Sequence, residues 1–185
     1  MTTQEFIEIL NDLAGPVSPF DDEDYSDPST IPNIRKKWFA QQDAKEIADC
    51  LKEVLIKQPP CFWPDREEIY RLEIVEIAGL LKDTAYARDI YNGIVPYLTD
   101  PVKRLLIIDA MGYLGIIEGV LALGQLNASE LKDEELIAIA CSLNMIGGES
   151  AIKMLNELRL KVPAEKKGVH EQIDIALNYP QTEGN

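Results

Sequence analysis

The chain has 185 residues, of which 46% are hydrophobic and 27% are charged, a composition typical of a folded globular protein. Its formal net charge of −14 repels nucleic-acid phosphates and attracts basic proteins, so we expect no nucleic-acid partner. No apolar run reaches the roughly 18–20 residues of a membrane span, and the first residues lack a signal-peptide pattern, so we expect a cytoplasmic protein with no membrane partner.

The first predicted element is an amphipathic helix over residues 3–14, which Gly15-Pro16 ends. Residues 16–32 then form a loop rich in Pro, Asp and Ser. Residues 1–30 hold eight carboxylates and no Lys or Arg. The acidic run 21–28 lacks the Gly and the Glu that an EF-hand calcium loop needs. A solvated charge run is one interpretation of this segment, and a contact for a basic partner is the other.

Two aromatic segments flank the next predicted helix, which covers residues 43–57 and ends at Pro59-Pro60. The first segment is Arg35-Lys36-Lys37-Trp38-Phe39, and Trp38 in it is a candidate partner contact, because cationic and aromatic side chains together often form binding hot spots. The alternatives are that Trp38 packs as a core or cap residue and that the basic residues pair with the acidic run. The second segment, Phe62-Trp63-Pro64, has the same two interpretations, a binding contact or packing, and we expect packing against the first repeat.

The rest of the chain reads as a series of helices with no strand alternation of useful length, so we predict an all-α fold. The expected helices cover about residues 65–82, 84–98, 100–115, 118–126, 134–146, 149–160 and 163–178. In the first of these, five aliphatic residues recur at helical spacing and are expected to face inward: Ile69, Leu72, Val75, Ile77 and Leu80. In the third, Asp100-Pro101 is expected to open the helix as cap and first residue.

A repeat runs through this helical region. The stretches from Arg104 to Gly115 and from Leu136 to Gly147 share an apolar stripe that ends in a small residue, an aliphatic and a glycine, and their last residues are 32 positions apart. A looser copy runs from Arg71 to Lys82. A fixed period of this size indicates stacked helix pairs. Small residues such as Gly112 are expected to let the second helix of a pair cross close to the first.

The repeat resembles the HEAT family. The first helix of a HEAT repeat tends to start at Asp-Pro and end in Ala-Leu-Gly-x-Leu/Ile-Gly, and the nearest matches here are Asp100-Pro101, Arg104 and Ala110-Met111-Gly112-Tyr113-Leu114-Gly115. The resemblance covers residues 65–161. It implies a short right-handed α-solenoid of antiparallel helix pairs over residues 33–179. The N-terminal helix and acidic loop (1–32) would precede it, and a frayed tail (180–185) would follow.

In right-handed helical solenoids the second helices of successive repeats line the concave face. Alignment of these helices places one polar residue from each copy in a single column: Asn92, Gln125 and Glu157. The candidate partner contacts on this face are Arg88, Tyr91, Asn92, Gln125, Lys153 and Asn156, with Trp38 added from the aromatic cluster. An ordinary solvated helix face is the alternative interpretation.

The sequence predicts no catalytic, metal or cofactor site. His170 is the only histidine and cannot build an imidazole metal site, and the three cysteines form no C-x-x-C pair. We therefore expect a non-catalytic protein-binding module that acts as an adaptor, inhibitor or regulatory subunit, or neutralises a basic partner such as a toxin. The alternatives are a HEAT-like enzyme, of the DNA glycosylase or chromophore-lyase type, and a structural subunit of an assembly. An acidic chain disfavours the glycosylase, which needs a basic groove.

Overall fold

The computed structural model describes residues 1–15 and 31–179, with no description of the side chains of residues 31–35. Within this part the chain forms ten α-helices and three short 3₁₀ turns, with no strand, so the prediction of an all-α fold is confirmed. The helices are α1 (Thr3–Ala14), α2 (Ile31–Ala40), α3 (Ala44–Lys57), α4 (Glu67–Leu80), α5 (Ala87–Ile94), α6 (Arg104–Leu114), α7 (Glu118–Gly124), α8 (Asp133–Ile146), α9 (Gly148–Lys161) and α10 (Lys167–Asn178). The acidic run and the C-terminal tail predicted from the sequence lie outside the described residues.

Several helix ends lie within a residue or two of their predicted positions, because the signals that fix them are local. Helix α1 begins with a capping box, in which the Thr2 hydroxyl accepts from the backbone N–H of Glu5 at 3.2 Å and the Glu5 carboxylate accepts from the N–H of Thr2 at 2.7 Å. Asp43 caps α3 by accepting from two backbone N–H groups. Helix α6 ends at Gly115, whose φ of 64° is in the left-handed region that glycine adopts without strain.

The helix predicted to open at Asp100-Pro101 starts later. Asp100 instead forms a turn, in which its carboxylate accepts from the N–H of Val102 at 3.0 Å and its carbonyl accepts from the N–H of Arg104 at 2.9 Å. Helix α6 therefore begins at Arg104. Similarly, the helix predicted to reach residue 98 ends at Ile94 and continues as a 3₁₀ turn that contains Pro96, which has no N–H to donate.

The described residues divide into two compact units, and the division falls within α5, between Ile90 and Tyr91. In the first unit, α1, α3 and α4 pack on one another. Their shared core is aliphatic and aromatic, and its fully buried side chains include Phe6, Leu10, Ile47, Leu51, Leu55, Ile74 and Ile77. Helix α1 is therefore part of the packed first unit.

The predicted inward stripe of α4 is wrong at two of its five positions. Val75 and Ile77 are buried, but Ile69 and Leu72 are exposed, and Leu80 is half-buried. The buried face of α4 is turned so that Tyr70 enters the core instead. Because α4 carries apolar residues on two neighbouring arcs, the packing of α1 and α3 decides which arc is covered.

In the second unit, alternate helices pack on each other: α6 on α8, α8 on α10, and α7 on α9. Helices α6 and α8 approach closely at Gly112, where a Cβ would lie 2.7 Å from Ser142 Oγ and 2.8 Å from Ser142 Cα. The buried Ser142 hydroxyl donates to the carbonyl of Ile108 at 2.8 Å. Gly112 thus makes room for α8.

A largely buried ion pair also joins α6 to α8. Arg104 Nη1 lies 3.4 Å from Glu135 Oε1, and the side chains of both residues are at most 13% exposed. Arg104 Nε donates to the carbonyl of Leu98 at 2.8 Å, and the Glu135 carboxylate accepts from the N–H of Lys132 at 2.8 Å. Since both charged groups are also hydrogen-bonded, the pair is compensated within the protein.

Candidate partner-binding surface

The second unit presents a mixed apolar and polar surface on α7 and α9. The two helices pack closely, since a Cβ at Gly124 would overlap the side chain of Met154. We refer to six of the exposed residues of these two helices and their ends as the α7–α9 surface: Ile117, Leu121, Gln125, Ile152, Lys153 and Asn156. Leu121 is 66% exposed, although it belongs to a helix whose other face is buried in the core.

The polar members of this surface retain hydrogen-bonding capacity. Asn156 is exposed and donates from Nδ2 to the carbonyl of Ile152 at 2.9 Å, within its own helix, a bond that does not use its amide oxygen. Lys153 is exposed and forms no ion pair with a described residue. Apolar side chains beside free donors and acceptors are the usual composition of a protein interface.

The residues predicted as partner contacts are divided between the two units. Gln125, Lys153 and Asn156 belong to the α7–α9 surface. Tyr91 is half-buried, with its ring 3.8 Å from where a Cβ of Gly119 in α7 would lie, and Asn92 is exposed on the same helix as Tyr91. The remaining two residues, Arg88 (exposed) and Trp38 (half-buried), lie in the first unit. The role of all seven as partner contacts stays a prediction.

The sequence analysis missed two groups of exposed apolar residues. The apolar members of the α7–α9 surface, Ile117, Leu121 and Ile152, were not among the candidate contacts, because the alignment of second helices favoured polar positions. Phe62 and Trp63, expected to pack inward, are 57% and 43% exposed. The prolines on both sides of this pair indicate a loop, and that signal favours exposure over burial.

A shallow groove of about 590 Å³ lies along α10 and contains the single histidine. Lys167, Glu171, Asp174 and Ile175 also line it. His170 Nε2 lies 3.3 Å from the carbonyl of Pro163 and has no metal-ligand neighbours: the described residues include no group of three or more His, Cys, Asp or Glu that could hold a metal ion. The arrangement of His170 gives no specific chemistry.

The three cysteines are unpaired thiols in the described structure. Burial raises the pKa of the Cys50 thiol, and burial followed by the nearby Asp109 carboxylate raises that of Cys141. Both groups therefore stay protonated at neutral pH, the state in which a thiol is a poor nucleophile.

No helix in the described residues combines the length and the apolar character needed to cross a membrane. No protein-family model, curated protein or solved structure matches the chain. The described residues show an all-α protein of two compact units. The likeness to HEAT repeats rests on the sequence pattern of residues 65–161 alone.

Proposed function

We propose that this chain is a non-catalytic protein-binding module of stacked helix pairs, resembling HEAT repeats, that acts in the cytoplasm as an adaptor, inhibitor or regulatory subunit. The observation that carries the proposal is the α7–α9 surface, where exposed Leu121 and Ile152 lie among the polar residues Gln125, Lys153 and Asn156. A leucine of this exposure gains on the order of 1–2 kcal/mol when a partner buries it.

The packing of the second unit supports the stacking of helix pairs in the proposed short right-handed solenoid. In a stack of helix pairs, each first helix packs on the next first helix and each second helix on the next second helix. The order α6–α8–α10 with α7–α9 fits this arrangement. Two specific contacts between α6 and α8 join positions about one repeat period apart: Arg104 with Glu135 (31 residues) and Ile108 with Ser142 (34 residues).

The net charge supports a basic partner. A formal charge of −14 accelerates the association of positively charged proteins and disfavours acidic ones, and its effect weakens as salt screens it. The most specific form of the proposal is that the chain neutralises a basic protein, such as a toxin. It requires tight binding that declines with ionic strength.

The test is isolation of the tagged chain from its native host at low and at high salt, with three forms compared. Wild type and the control Val102→Ser, which removes another exposed aliphatic of the second unit, should retain the same basic protein at low salt. The double variant Leu121→Ser/Ile152→Ser, which removes two exposed aliphatic side chains of the α7–α9 surface without changing its charge, should lose it. Titration of that purified protein should then give a Kd that the double variant raises roughly tenfold or more.

Two outcomes contradict the proposal. If the retained protein binds all three forms equally, the α7–α9 surface is not the contact. If no protein is retained and a metabolite or a nucleic acid is bound instead, the enzymatic alternative is favoured.

A further inference from the structure

A second surface lies in the first unit, where four large apolar side chains are exposed within eleven residues of sequence. Phe62 and Trp63 precede α4, and Ile69 and Leu72 lie on it, with exposures of 37% and 44% for the latter two. Exposed apolar groups that cluster in this way mark interaction sites more often than isolated ones do. We refer to these four residues, with Asp65 and Glu68 between them, as the α4 stripe.

Buried contacts hold the aromatic end of the α4 stripe in place. Asn11 of α1 is fully buried; its Nδ2 donates to the carbonyl of Ile7 at 2.8 Å, and its Oδ1 accepts from the N–H of Phe62 at 2.6 Å. The indole Nε1 of Trp63 lies 3.4 Å from where a Cβ of Gly15 would be. A partner would therefore meet aromatic side chains on a backbone that is already ordered, which lowers the entropy lost on binding.

The carboxylates of the α4 stripe share its face. Ile69 follows Asp65 by four residues, and Leu72 follows Glu68 by four. Residues four apart lie on the same side of a helix, so these two carboxylates and two aliphatic side chains share one side of α4 and its leading 3₁₀ turn. Tyr70, Ile74 and Ile77 occupy the opposite, buried side. Glu67 is exposed but about 100° away from Glu68 around the helix axis, off the stripe.

The charges select the kind of partner. Between residues 62 and 72 the exposed charged side chains are Asp65, Glu67 and Glu68, whereas Arg66 and Arg71 are half-buried. Two copies of this face would place carboxylates against carboxylates, and a nucleic acid or an anionic membrane would meet the same repulsion. Lysine and arginine side chains fit, since they pair with carboxylates and also stack on Trp and Phe rings.

We propose that the α4 stripe binds a basic amphipathic segment of a partner protein. Apolar side chains of that segment contact Trp63, Ile69 and Leu72, and its cationic side chains pair with Asp65 and Glu68. This surface lies in the first unit and is argued from its own contacts, so it does not depend on the α7–α9 surface.

The chain offers a direct probe, because it has only two tryptophans. In a Trp38→Phe background, Trp63 is the only fluorescent indole. The ligand is a synthetic amphipathic peptide of about 18 residues with Leu on one helical face and Lys on the other. Binding should shift the Trp63 emission to shorter wavelength as the indole loses solvent, and the affinity should fall as NaCl is added.

Matched variants separate the α4 stripe from the general charge of the protein. Asp65→Asn/Glu68→Gln should raise the Kd for the peptide roughly tenfold, and Ile69→Ser/Leu72→Ser by a similar factor or more. The control, Glu67→Gln/Asp83→Asn, removes two exposed carboxylates of the same unit from positions off the stripe and should change the Kd less than about twofold. Circular dichroism of each variant verifies that its helices are intact.

Three results would overturn this inference. Equal weakening by the test and control pairs would mean that net charge alone attracts the peptide. An unchanged Trp63 emission at saturating peptide would place the binding elsewhere. Self-association of the wild-type chain that buries Trp63 would assign the stripe to a second copy. The variant Leu121→Ser/Ile152→Ser keeps the net charge and should bind the peptide as wild type does, so failure here and failure of the proposed function are distinguishable.

Discussion

Replacement of Gly112 by alanine tests a close contact between the backbones of α6 and α8 in the second unit. On an exposed helix face this change stabilises a protein by up to about 1 kcal/mol, because alanine loses less conformational entropy on folding. At Gly112 the sign should reverse. The new Cβ would lie 2.8 Å from the Cα of Ser142, and a backbone atom yields only if α6 and α8 separate.

The magnitude follows from the groups at this contact. Overpacking of a well-packed site costs about 1–3 kcal/mol. Separation of the helices also stretches the 2.8 Å hydrogen bond from Ser142 to the carbonyl of Ile108, which is buried, and its loss adds about 0.5–1.5 kcal/mol. After the gain in helix propensity is subtracted, Gly112→Ala should lower the free energy of unfolding by about 1–3 kcal/mol.

Gly168→Ala is the matched control. Gly168 lies in α10 of the same unit, is exposed, and has no atom within 4 Å of where its Cβ would be. It should raise the free energy of unfolding by a few tenths to about 1 kcal/mol. Urea unfolding followed by circular dichroism measures both variants, and thermal midpoints should move by roughly 4–8 °C per kcal/mol for a unit of this size. If Gly112→Ala stabilises the protein as much as Gly168→Ala does, α6 and α8 are not in contact at this point.

Two further predictions concern buried polar groups. Glu135→Ala removes both the partner of Arg104 and the acceptor for the N–H of Lys132, so it should lower the free energy of unfolding, measured in urea, by about 3 kcal/mol. Glu135→Gln keeps an acceptor and should lower it clearly less. Equal losses in the two variants would refute a role for the charge and the hydrogen bond of Glu135. Burial, and secondarily Cys61, raises the pKa of Tyr70 from 10 to about 12. Above pH 10 the unfolded chain releases a proton that the folded chain keeps, so stability should fall by about 1.4 kcal/mol per pH unit up to pH 12. Tyr70→Phe should remove that part of the pH dependence. It should not destabilise the protein at neutral pH, because the Tyr70 hydroxyl has no hydrogen-bond partner in the described structure. If stability falls with pH as steeply in Tyr70→Phe as in wild type, the raised pKa of Tyr70 is contradicted.

The helix ends that the sequence predicts well are those fixed by neighbouring residues. The Thr2 capping box, the Asp43 cap and the left-handed Gly115 each depend on a few adjacent positions. The helix start predicted at Asp100-Pro101 is wrong, because Asp caps a turn as readily as it caps a helix. Only the residues that follow decide between a turn and a helix.

Burial was harder to predict, because it depends on contacts between distant residues. The exposure of Phe62 follows from the buried Asn11, which binds its N–H from 51 positions away and holds the loop at the surface. Likewise, the apolar pattern of α4 contains two possible inner faces, and the packing of α1 selects the one with Tyr70. Gln125, Lys153 and Asn156 are exposed because polar side chains at helical spacing seldom enter a core.

The packing of α10 has a consequence for cooperativity. This helix packs on α8 and α9, whereas α6 packs on α8 and on the 3₁₀ turn before it. Detachment of α10 would expose one side of α8 and leave the α6–α8 contact at Gly112 intact. Backbone amides of α10 should therefore exchange with solvent deuterium through a local opening, while those of α6 require a larger unfolding event. The second unit would then lose its structure progressively from its C-terminal helix.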